Sequence, residues 1–392
     1  MNRKVVIVSA RRTPMGSFMG ALSSVPATVL GSTAIQAALE SAGVQGDEVQ
    51  EVFMGNVLQA GLGQAPARQA AMGAGISDTT PCTTVNKVCS SGMKAIHMAV
   101  HAIASGESDI VVAGGMENMS QVPHYLNGRQ SVKLGNIKAV DGMVLDGLTD
   151  VYNQQHMGVC AELCAKEHGF SREDQDAFAI ESYRRSSEAW AAGAFEAEVA
   201  PVAVPQRKGD PVMVTEDEEY RNVKIEKIPQ LRPVFAKEGS VTAANASTLN
   251  DGASALVLMA EETAQARGIQ PLARILSNAD AAHTPERFTT APSKAMPIAL
   301  QRAGLTLEDM DLVELNEAFA VVGLANNKLL GLDANKVNVH GGAVSLGHPL
   351  GSSGSRIAVT LIHALSRHGK RFGAAGICNG GGGASAMVIE RL

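Results

Sequence analysis

"SSGMKAIHMAVHAIASGESDIVVAGG" (residues 90–115) resembles "SSGSRIAVTLIHALSRHGKRFGAAGI" (residues 352–377), and this pair of stretches decides the fold. In each copy Ser-Ser-Gly precedes apolar residues at helical spacing. A polar or basic turn then leads into an apolar strand that ends in glycine. The repeat predicts the same helix–strand unit in both halves of the chain.

A second pair of similar stretches occurs in the same order, at residues 37–57 and 298–318. Each reads as a helix that ends at a glycine, followed by an acidic turn and an apolar strand. Strands that alternate with helices predict a mostly parallel sheet covered on both faces. We expect two such halves to pack about a pseudo-twofold axis, the alternative being a chance likeness between ordinary βα units.

The segment from about residue 120 to residue 246 interrupts this repeat and has a different, loop-rich texture. Ser171 with an acidic residue three places later is a capping-box pattern that predicts a helix start. We interpret the segment as an inserted domain, a natural place for a binding lid. The expected division is residues 1–119 as the N-terminal half (completed by 247–270), 120–246 as the inserted loop domain and 271–392 as the C-terminal half.

Composition limits the function classes. The chain has 392 residues, and its net charge of −6 indicates no basic face, so we expect no nucleic-acid partner. Five cysteines in so long a chain favour free thiols in a reducing compartment, and we expect a cytoplasmic protein. No apolar run is long enough to span a membrane. The apolar run near the N-terminus, cut off by Arg11 and Arg12, reads as a buried first strand and not as a signal peptide.

Four polar side chains follow apolar strands or glycine-rich turns: Cys89, Asn316, His348 and Cys378. In α/β folds such residues gather at the carboxyl ends of strands, where active sites form. A histidine can take the proton of a cysteine, a second cysteine can exchange protons with a carbon acid, and glycines expose N–H groups to an oxyanion. Each residue also has an ordinary reading as a core thiol, a turn histidine or a helix N-cap.

The surroundings of Cys89 favour a reactive sulfur. In "VNKVCSSGMKAI" (residues 85–96) a strand stops and a helix starts at the cysteine. The N–H groups and partial positive charge of a helix N-terminus stabilise a thiolate, which is the nucleophilic form. A small buried residue in a tight turn would suit the position equally well.

Two motifs are discounted. "GLGQAP" (residues 61–66) imitates a dinucleotide loop, but it has proline where the third glycine belongs, and no clear strand leads into it. A stripe at four-residue intervals imitates a zinc site and consists of His156, Cys160, Cys164 and His168. Its ends would stand about 18 Å apart on one helix, so four ligands cannot meet at one ion. We predict no metal site.

The motifs "NKVCSSG", "NEAFA", "GGAVSLGHPLGSSG" and a terminal C-x-G-G-G have the order and spacing of the thiolase family, which the chain resembles from end to end. "VVAGGMENMS" and "VTAANASTLNDGASA" also resemble stretches of that family. The resemblance implies a thiolase-like α/β fold. It would consist of two duplicated βαβαβ-type halves in five α-β-α-β-α layers, with an inserted loop domain that binds coenzyme A.

The resemblance also implies a reaction and a set of catalytic groups. Cys89 would carry the acyl group as a thioester, and His348 would activate it. Cys378 would be the acid/base toward the second acetyl-CoA, and Asn316 would hold a water that binds the thioester oxygen together with His348. The N–H groups of Cys89 and Gly380 would bind the other oxyanion. The implied activity is acetyl-CoA C-acetyltransferase, a reversible Claisen condensation with coenzyme A thioesters as substrates and no cofactor.

Within the family, "QHMG" (residues 155–158) resembles the short-chain acetoacetyl-CoA type. By that similarity the acyl and pantetheine pocket would involve His156, Met157, Ser247, Leu148, Phe235, Ala243, Ala318 and Phe319. Arg221 would approach a phosphate or the adenine. Residues 128–142 resemble the loop through which such enzymes form tetramers, and we expect a homotetramer, with Lys133 and Lys138 facing the phosphates of the nucleotide.

The sequence departs from the family pattern at Asn379, where an apolar residue is usual, and at Gly383, where a side chain is usual. Both changes can alter substrate preference or the pKa of Cys378. The rival functions are a 3-ketoacyl-CoA thiolase for longer chains, a decarboxylating ketoacyl synthase and an inactive acyl-CoA binding protein. The thiol at position 378 argues against the synthase, and intact Cys89 and His348 argue against the inactive protein.

Overall fold

The computed structural model of the chain describes residues 3–129 and 133–392. Its N-terminal part contains β1 Val5–Arg12, β2 Gly16–Ser17, α1 Ala27–Ala42, β3 Glu51–Gly55, α2 Pro66–Gly73, β4 Cys82–Val85, α3 Ser91–Ser105 and β5 Ile110–Asn118. The middle contains β6 His124–Tyr125, β7 Val140–Asp141, α4 Gly142–Gly147, β8 Thr149–Asp150, β9 Gln155–His156, α5 Met157–His168, α6 Arg172–Ala191, β10 Val202–Val204, β11 Val212–Val214 and α7 Glu219–Asn222. The C-terminal part contains β12 Asn250–Ala260, α8 Glu261–Ala266, β13 Ala273–Ala282, α9 Pro292–Ala303, β14 Leu312–Leu315, α10 Ala320–Leu330, α11 Ala343–Leu346, α12 Leu350–Arg367, β15 Phe372–Asn379 and β16 Gly383–Arg391.

The main strands form one sheet in the order β14-β15-β16-β13-β1-β12-β5-β3-β4, with β2 beside β12. The two halves meet at β1 and β13, which pair over Val5–Ile7 alone. The strand order on one side of this junction mirrors the order on the other, as a duplicated fold requires. The halves are also repeated locally, because α1 and α9 both end at a left-handed glycine, Gly43 and Gly304, as the repeat predicted.

The expectation of a mostly parallel sheet is wrong. β3 runs parallel to β4 and β5, and β14 runs parallel to β15. β12 lies antiparallel between β1 and β5, and β16 lies antiparallel between β13 and β15. In the C-terminal half, β15 and β16 are antiparallel because a short turn follows Asn379. This turn folds β16 back on β15 as a hairpin without a crossover helix.

The helices divide the core into five layers. α3 and α12 share a core between the two halves of the sheet, built around residues such as Ile96 and Leu361. α1 and α2 cover the outer face of the N-terminal half, and α9 covers the outer face of the C-terminal half, where Ile35 and Met296 are fully buried. Both halves of the sheet are therefore covered on two faces, as their continuous apolar strands require.

The two Ser-Ser-Gly repeats pack against each other in the central layer. A Cβ atom at Gly92 would lie 2.8 Å from the main-chain nitrogen of Ser355. Reciprocally, a Cβ atom at Gly354 would lie 2.5 Å from the main-chain nitrogen of Met93. The glycines let the first turns of α3 and α12 approach to backbone contact, which brings together the two loops that precede these helices.

The middle segment folds over this core. α6 begins at a capping box in which the Ser171 and Asp174 side chains each accept from the other residue's N–H, confirming the predicted helix start. Gln130, Ser131 and Val132 of the expected tetramer loop lie outside the described residues. The domain boundaries themselves stay a prediction. Within residues 3–129 and 133–392, no helix is both long and apolar enough to cross a membrane.

A fully buried ion-pair cluster fastens the middle segment to the first strand. The Arg12 guanidinium donates to Glu198 Oε1 at 2.5 Å and in bidentate fashion to Asp217 at 2.7 and 2.9 Å. All three side chains are at most 1% exposed. Loss of one partner would leave a buried charge uncompensated, which costs far more than loss of a surface pair.

We expect Arg12→Met to lower the free energy of unfolding by about 3–5 kcal/mol, because it leaves two buried carboxylates without their cation. The measurement is urea unfolding followed by circular dichroism. Arg267→Met is the matched control: its pair with Glu48 is about one-third exposed on both sides, so its loss should cost about 1 kcal/mol or less. Equal losses for the two variants would contradict this account.

Candidate active site

A cavity of about 450 Å³ opens where the two halves and the middle segment meet. Cys89 and His348 lie on its wall together with Gly380, so residues distant in sequence share one site. Each follows or precedes an element end: Cys89 precedes α3, His348 precedes α12, and Gly380 follows β15. The remaining wall is mostly apolar and includes Met119, Leu148, Met157, Phe235, Ala243, Phe288, Ala318, Phe319 and Leu350.

Cys89 sits in a strained turn directly before α3. The preceding residue, Val88, has a φ angle of +47°, which is costly for a β-branched side chain. Ser90 then donates from Oγ to the carbonyl of Ile377 at 3.3 Å, so the turn is tied to the strand that carries Cys378. The strain is maintained by the surrounding fold and fixes the direction of the Cys89 side chain.

Burial raises the pKa of Cys89 to about 12, while the N–H groups of Gly380 and of Cys89 itself lower it as hydrogen-bond donors to the sulfur. The same two N–H groups are those expected to bind an oxyanion. The helix N-terminus therefore does not by itself keep the sulfur ionised at rest. The expected activation depends on a base that removes the proton as the reaction begins.

The hydrogen bonds around His348 fit the tautomer that such a base requires. Its Nδ1 lies 2.6 Å from Ser353 Oγ, and this hydroxyl donates its only hydrogen to the carbonyl of Pro349 at 2.9 Å. With the hydroxyl hydrogen on the Pro349 carbonyl, Ser353 accepts from Nδ1–H and Nε2 is left as an acceptor; the tautomer is assigned from this hydrogen-bond pattern. Nε2 is buried without a partner among the described residues, and burial and Arg356 lower the pKa of His348 to about 3. The imidazole is neutral and able to accept a proton at Nε2.

Cys378 and Asn316 are buried and do not line the cavity. Cys378 is fully buried and packs with Met157 and Phe319, which do line the cavity. Its pKa is raised well above the usual value by burial and then by the nearby Cys89, so the two sulfurs are neighbours. Asn316 is 1% exposed, and both polar atoms of its side chain lack a partner in the described chain. Such an amide suits the expected water-holding role.

Most of the expected pocket residues line the cavity: His156, Met157, Ser247, Leu148, Phe235, Ala243, Ala318 and Phe319. His156 stacks on Phe235 with ring centroids 4.7 Å apart, and its Nδ1 accepts the N–H of Gly158. Its remaining nitrogen, Nε2, then carries the hydrogen and can donate. Ser247 donates from Oγ to the carbonyl of Ala318 at 2.8 Å.

Three residues that were expected to contact the nucleotide do not line the cavity. Arg221 is half-exposed and pairs with Glu216 at 2.9 Å, although its neighbours Glu219 and Asn222 line the cavity. Lys133 and Lys138 are exposed and are not on the cavity wall. The roles expected of these three residues toward the nucleotide stay predictions.

The two departures from the family pattern are a coupled pair. The Asn379 side chain donates from Nδ2 to the carbonyl of Gly380 at 2.8 Å. A Cβ atom at Gly383 would lie 2.6 Å from that same Nδ2. The amide at position 379 therefore occupies the space that a side chain at position 383 would need, and the two residues depend on each other.

The discounted stripe of histidines and cysteines forms one side of α5. Cys160 and Cys164 are buried in the core, His156 caps the start of the helix, and His168 is its last residue. All five cysteines, which lie in the described part, are free thiols. Across residues 3–129 and 133–392, no group of three or more potential ligands is arranged to hold a metal ion.

Sequence reasoning missed several residues of the site. Phe288 and Glu219 line the cavity, and buried Glu117 and Asn250 contact the backbone around His348. Glu117 follows the apolar run of β5 directly, and a charge within so buried a strand was the available sign of a special environment. Asn250 lies within a stretch that the family resemblance covers, but nothing in that stretch distinguishes it.

Comparisons with known proteins identify the family. Residues 5–262 match the family described as "Thiolase, N-terminal domain", and residues 269–391 match "Thiolase, C-terminal domain". "Acetyl-CoA acetyltransferase, mitochondrial" of Mus musculus is 58% identical over 390 residues, which are 99% of this chain and 91% of that protein. "Acetyl-CoA acetyltransferase" of Schizosaccharomyces pombe is 55% identical over 394 residues and covers 100% of both chains. The crystal structure of Acat5 thiolase from Ascaris suum in complex with coenzyme A has a TM-score of 0.95 at 48% identity and covers 100% of both chains.

The matches first define the class: the protein is an acyltransferase with the thiolase fold, and both predictions are confirmed. The chain belongs to the thiolase family. The family resemblance that rested on the duplicated halves and on four motifs is therefore confirmed. These motifs carry Cys89, Asn316, His348 and Cys378.

The expected cytoplasmic location is wrong. The relatives from mouse, rat, cattle and human are all named mitochondrial, and these names contradict the expectation. The expectation rested on free cysteines, and free cysteines indicate a reducing compartment without identifying which one.

We expect Cys89 to be a neutral thiol in the resting protein at neutral pH, because burial raises its pKa to about 12. The measurement is the thiolate absorbance in the ultraviolet, taken as the difference between the protein and Cys89→Ala. The difference should be small at neutral pH and grow only in the alkaline range. In urea the same difference should appear nearer the usual thiol pKa. A full thiolate band in the folded protein at neutral pH would contradict this expectation.

We expect Gly383→Ala to cost about 1–3 kcal/mol of stability, because its Cβ atom collides with the buried Asn379 amide. Asn379→Ala removes the obstacle, so the double variant should recover about 1 kcal/mol relative to the sum of the single variants. Urea unfolding of all four proteins measures this coupling. Gly128→Ala, where a Cβ atom meets no atom within 4 Å, is the control. Additive effects at positions 379 and 383 would disprove the coupling.

Proposed function

We propose that this thiolase is an acetyl-CoA C-acetyltransferase, which joins two acetyl-CoA molecules to acetoacetyl-CoA and coenzyme A in a reversible reaction. The observation that carries the proposal is the shared cavity wall of Cys89, His348 and Gly380, with Cys378 directly behind it. The names of the relatives at 55–58% identity agree with this activity.

In the thiolysis direction, the sulfur of Cys89 attacks the 3-carbonyl carbon of acetoacetyl-CoA while His348 takes the thiol proton at Nε2. The oxyanion that develops on the 3-carbonyl oxygen accepts hydrogen bonds from donors around the site. The bond between carbons 2 and 3 then breaks, which leaves an acetyl group on Cys89 and an acetyl-CoA enolate. Cys378 gives its proton to the enolate carbon, and acetyl-CoA leaves.

In the second half, the thiol of coenzyme A attacks the acetyl group on Cys89 and regenerates the free cysteine. Its proton returns through the acid/base groups, Cys378 and His348, so each residue ends in its starting state.

The N–H groups of Cys89 and Gly380, which point at the sulfur, suit the oxygen of the acetyl-cysteine thioester. Asn316, whose amide is buried without a partner, suits the water that shares the enolate oxygen with His348. Burial favours the neutral forms of Cys89, His348 and Cys378, so all three groups are uncharged before the first proton transfer.

The walls of the cavity support the proposed substrates. An apolar lining suits the pantetheine arm of coenzyme A, and the donor Nε2–H of His156 suits one of its polar groups. Met157 lies 3.5 Å from the position that a Cβ atom of Gly380 would occupy, so its side chain limits the space beside the reacting sulfur. This favours a short acyl group over the longer chains of the rival 3-ketoacyl-CoA thiolase. The proposed route uses only these side chains and the substrate's own sulfur, and it needs no resident cofactor.

We also propose that the protein forms a homotetramer, because residues 128–142 resemble the loop through which such enzymes form tetramers.

The test is mass spectrometry of the Cys89 peptide after brief exposure to acetoacetyl-CoA. We expect an added mass of one acetyl group and no addition in Cys89→Ala. Cys378→Ala should still acquire the acetyl group in exchange with acetyl-CoA, but its condensation rate should fall by about a hundredfold or more, because the carbon acid loses its base.

Cys82→Ala is the matched control, because Cys82 lies on β4 away from the cavity wall and should retain both acetylation and turnover. Wild-type turnover in Cys89→Ala would overturn the proposal. An acyl group longer than acetyl after exposure to a mixture of 3-ketoacyl-CoA chain lengths would favour the longer-chain rival.

A further inference from the structure

The loop that carries His348 has a glycine on either side, Gly347 and Gly351, and each faces a buried side chain from the N-terminal half of the sheet. A Cβ atom at Gly347 would lie 2.6 Å from Asn250 Oδ1, and φ at this glycine is +105°. A Cβ atom at Gly351 would lie 2.9 Å from Glu117 Oε2. The glycines therefore let two polar side chains reach the main chain of the loop.

Asn250, at the start of β12, holds the loop at His348 itself. Its Oδ1 accepts the main-chain N–H of His348 at 2.8 Å. Its Nδ2 donates to the carbonyl of Gly16 at 2.9 Å and approaches Glu219 Oε1 at 3.3 Å, so the amide cannot rotate without losing partners at both ends. Asn250 is fully buried.

Glu117, on the neighbouring strand β5, holds the loop three residues further on. Its Oε2 accepts the main-chain N–H of Gly351 at 2.9 Å. The carboxylate also accepts from Asn56 Nδ2 and from the main-chain N–H groups of Val57 and Leu58, at 2.7 to 3.1 Å. One fully buried carboxylate thus joins the loop after β3 to the first turn of α12, which belong to opposite halves of the fold.

We propose that Asn250 and Glu117 are positioning residues that fix the main chain before and after His348 and so keep its imidazole in place on the cavity wall. The two side chains come from adjacent strands, because Gly252 of β12 pairs with Glu117 of β5. They form a rigid frame from the half of the fold that also carries Cys89. The inference rests on the proposed function, in which His348 accepts the proton of Cys89.

The contacts of Asn250 and Glu117 fix the distance from the His348 imidazole to the Cys89 sulfur, which the Ser353 contact cannot fix. Ser353 fixes the tautomer and the direction of Nδ1, but Ser353 lies on the same loop and helix as His348 and moves with them. Only contacts from the other half can set the distance between the imidazole and the sulfur. Displacement of a reacting group by about 1 Å can lower a rate by about a hundredfold.

The test follows the alkylation of Cys89 by iodoacetamide, read by mass spectrometry of its peptide at neutral and at alkaline pH. At neutral pH the reaction needs His348 to take the proton. At alkaline pH hydroxide removes it without help. We expect Asn250→Ala and Glu117→Gln to lower the neutral-to-alkaline rate ratio by about tenfold or more, toward the ratio of His348→Ala.

Asn250→Asp retains the oxygen that accepts the His348 N–H, but its second oxygen faces the carbonyl of Gly16 and Glu219 Oε1, so we expect this variant to lower the ratio as well. Asn326→Ala is the matched control: Asn326 is equally buried and makes three hydrogen bonds away from the cavity, so its loss should lower the melting temperature and leave the ratio unchanged. This separates a positioning role from a merely structural one.

The outcomes are distinct. Folded Asn250→Ala and Glu117→Gln with the wild-type ratio would overturn the positioning role. If Asn250→Ala fails to fold, Glu117→Gln decides: the inference stands if this variant lowers the ratio and falls if it keeps the wild-type ratio. A wild-type ratio in His348→Ala would count against the proposed function instead, because the base itself would then be unnecessary.

Discussion

The backbone contact between the first turns of α3 and α12 is the constraint on which the site depends. Gly92 and Gly354 allow it, since a Cβ atom at either position would collide with the opposite helix. Cys89 precedes one of these helices and His348 precedes the other. Two catalytic loops can share one cavity only because their helices meet here, so the small residues of the two Ser-Ser-Gly repeats set the geometry of the chemistry.

The contact between α3 and α12 also determines the electrostatic environment of the Cys89 sulfur. Two helix N-termini face the cavity, and each favours negative charge there by up to about 2 kcal/mol. Burial acts against them: a thiol pKa of about 12 for Cys89 corresponds to roughly 4 kcal/mol relative to an ordinary thiol, so burial prevails while the site is at rest. The helix ends and the N–H group of Gly380 are fixed in advance, and they stabilise charge only as the proton leaves the sulfur. Such preorganised donors lower a barrier without producing a reactive ion beforehand.

Local patterns predicted what depends on neighbours in sequence. The helix ends at Gly43 and Gly304 and the capping box at Ser171 follow from such patterns. The shared site of Cys89 and His348 was expected from a different argument, the positions of both residues beside the ends of helices and strands. The antiparallel entry of β12 between β1 and β5 does not follow from local patterns, because a continuous apolar run has the same appearance in either direction. The neutral thiol was also not predictable, since a sequence shows a helix start but not how much water the fold excludes from it.

The carboxylate of Glu117 illustrates the remaining gap. A buried charged residue near the end of an apolar strand indicates a special environment, but its partners lie in the loop after β3 and in the first turn of α12, far apart in sequence. Burial raises its pKa to about 7, and the main-chain N–H groups that it accepts oppose that rise. An uncompensated carboxylate would not be tolerated at this depth, so the hydrogen bonds and the burial require each other. Because those donors come from both halves, the fold can satisfy Glu117 only when the halves are correctly assembled. A residue that carries no chemistry of its own therefore couples the assembly of the fold to the assembly of the site.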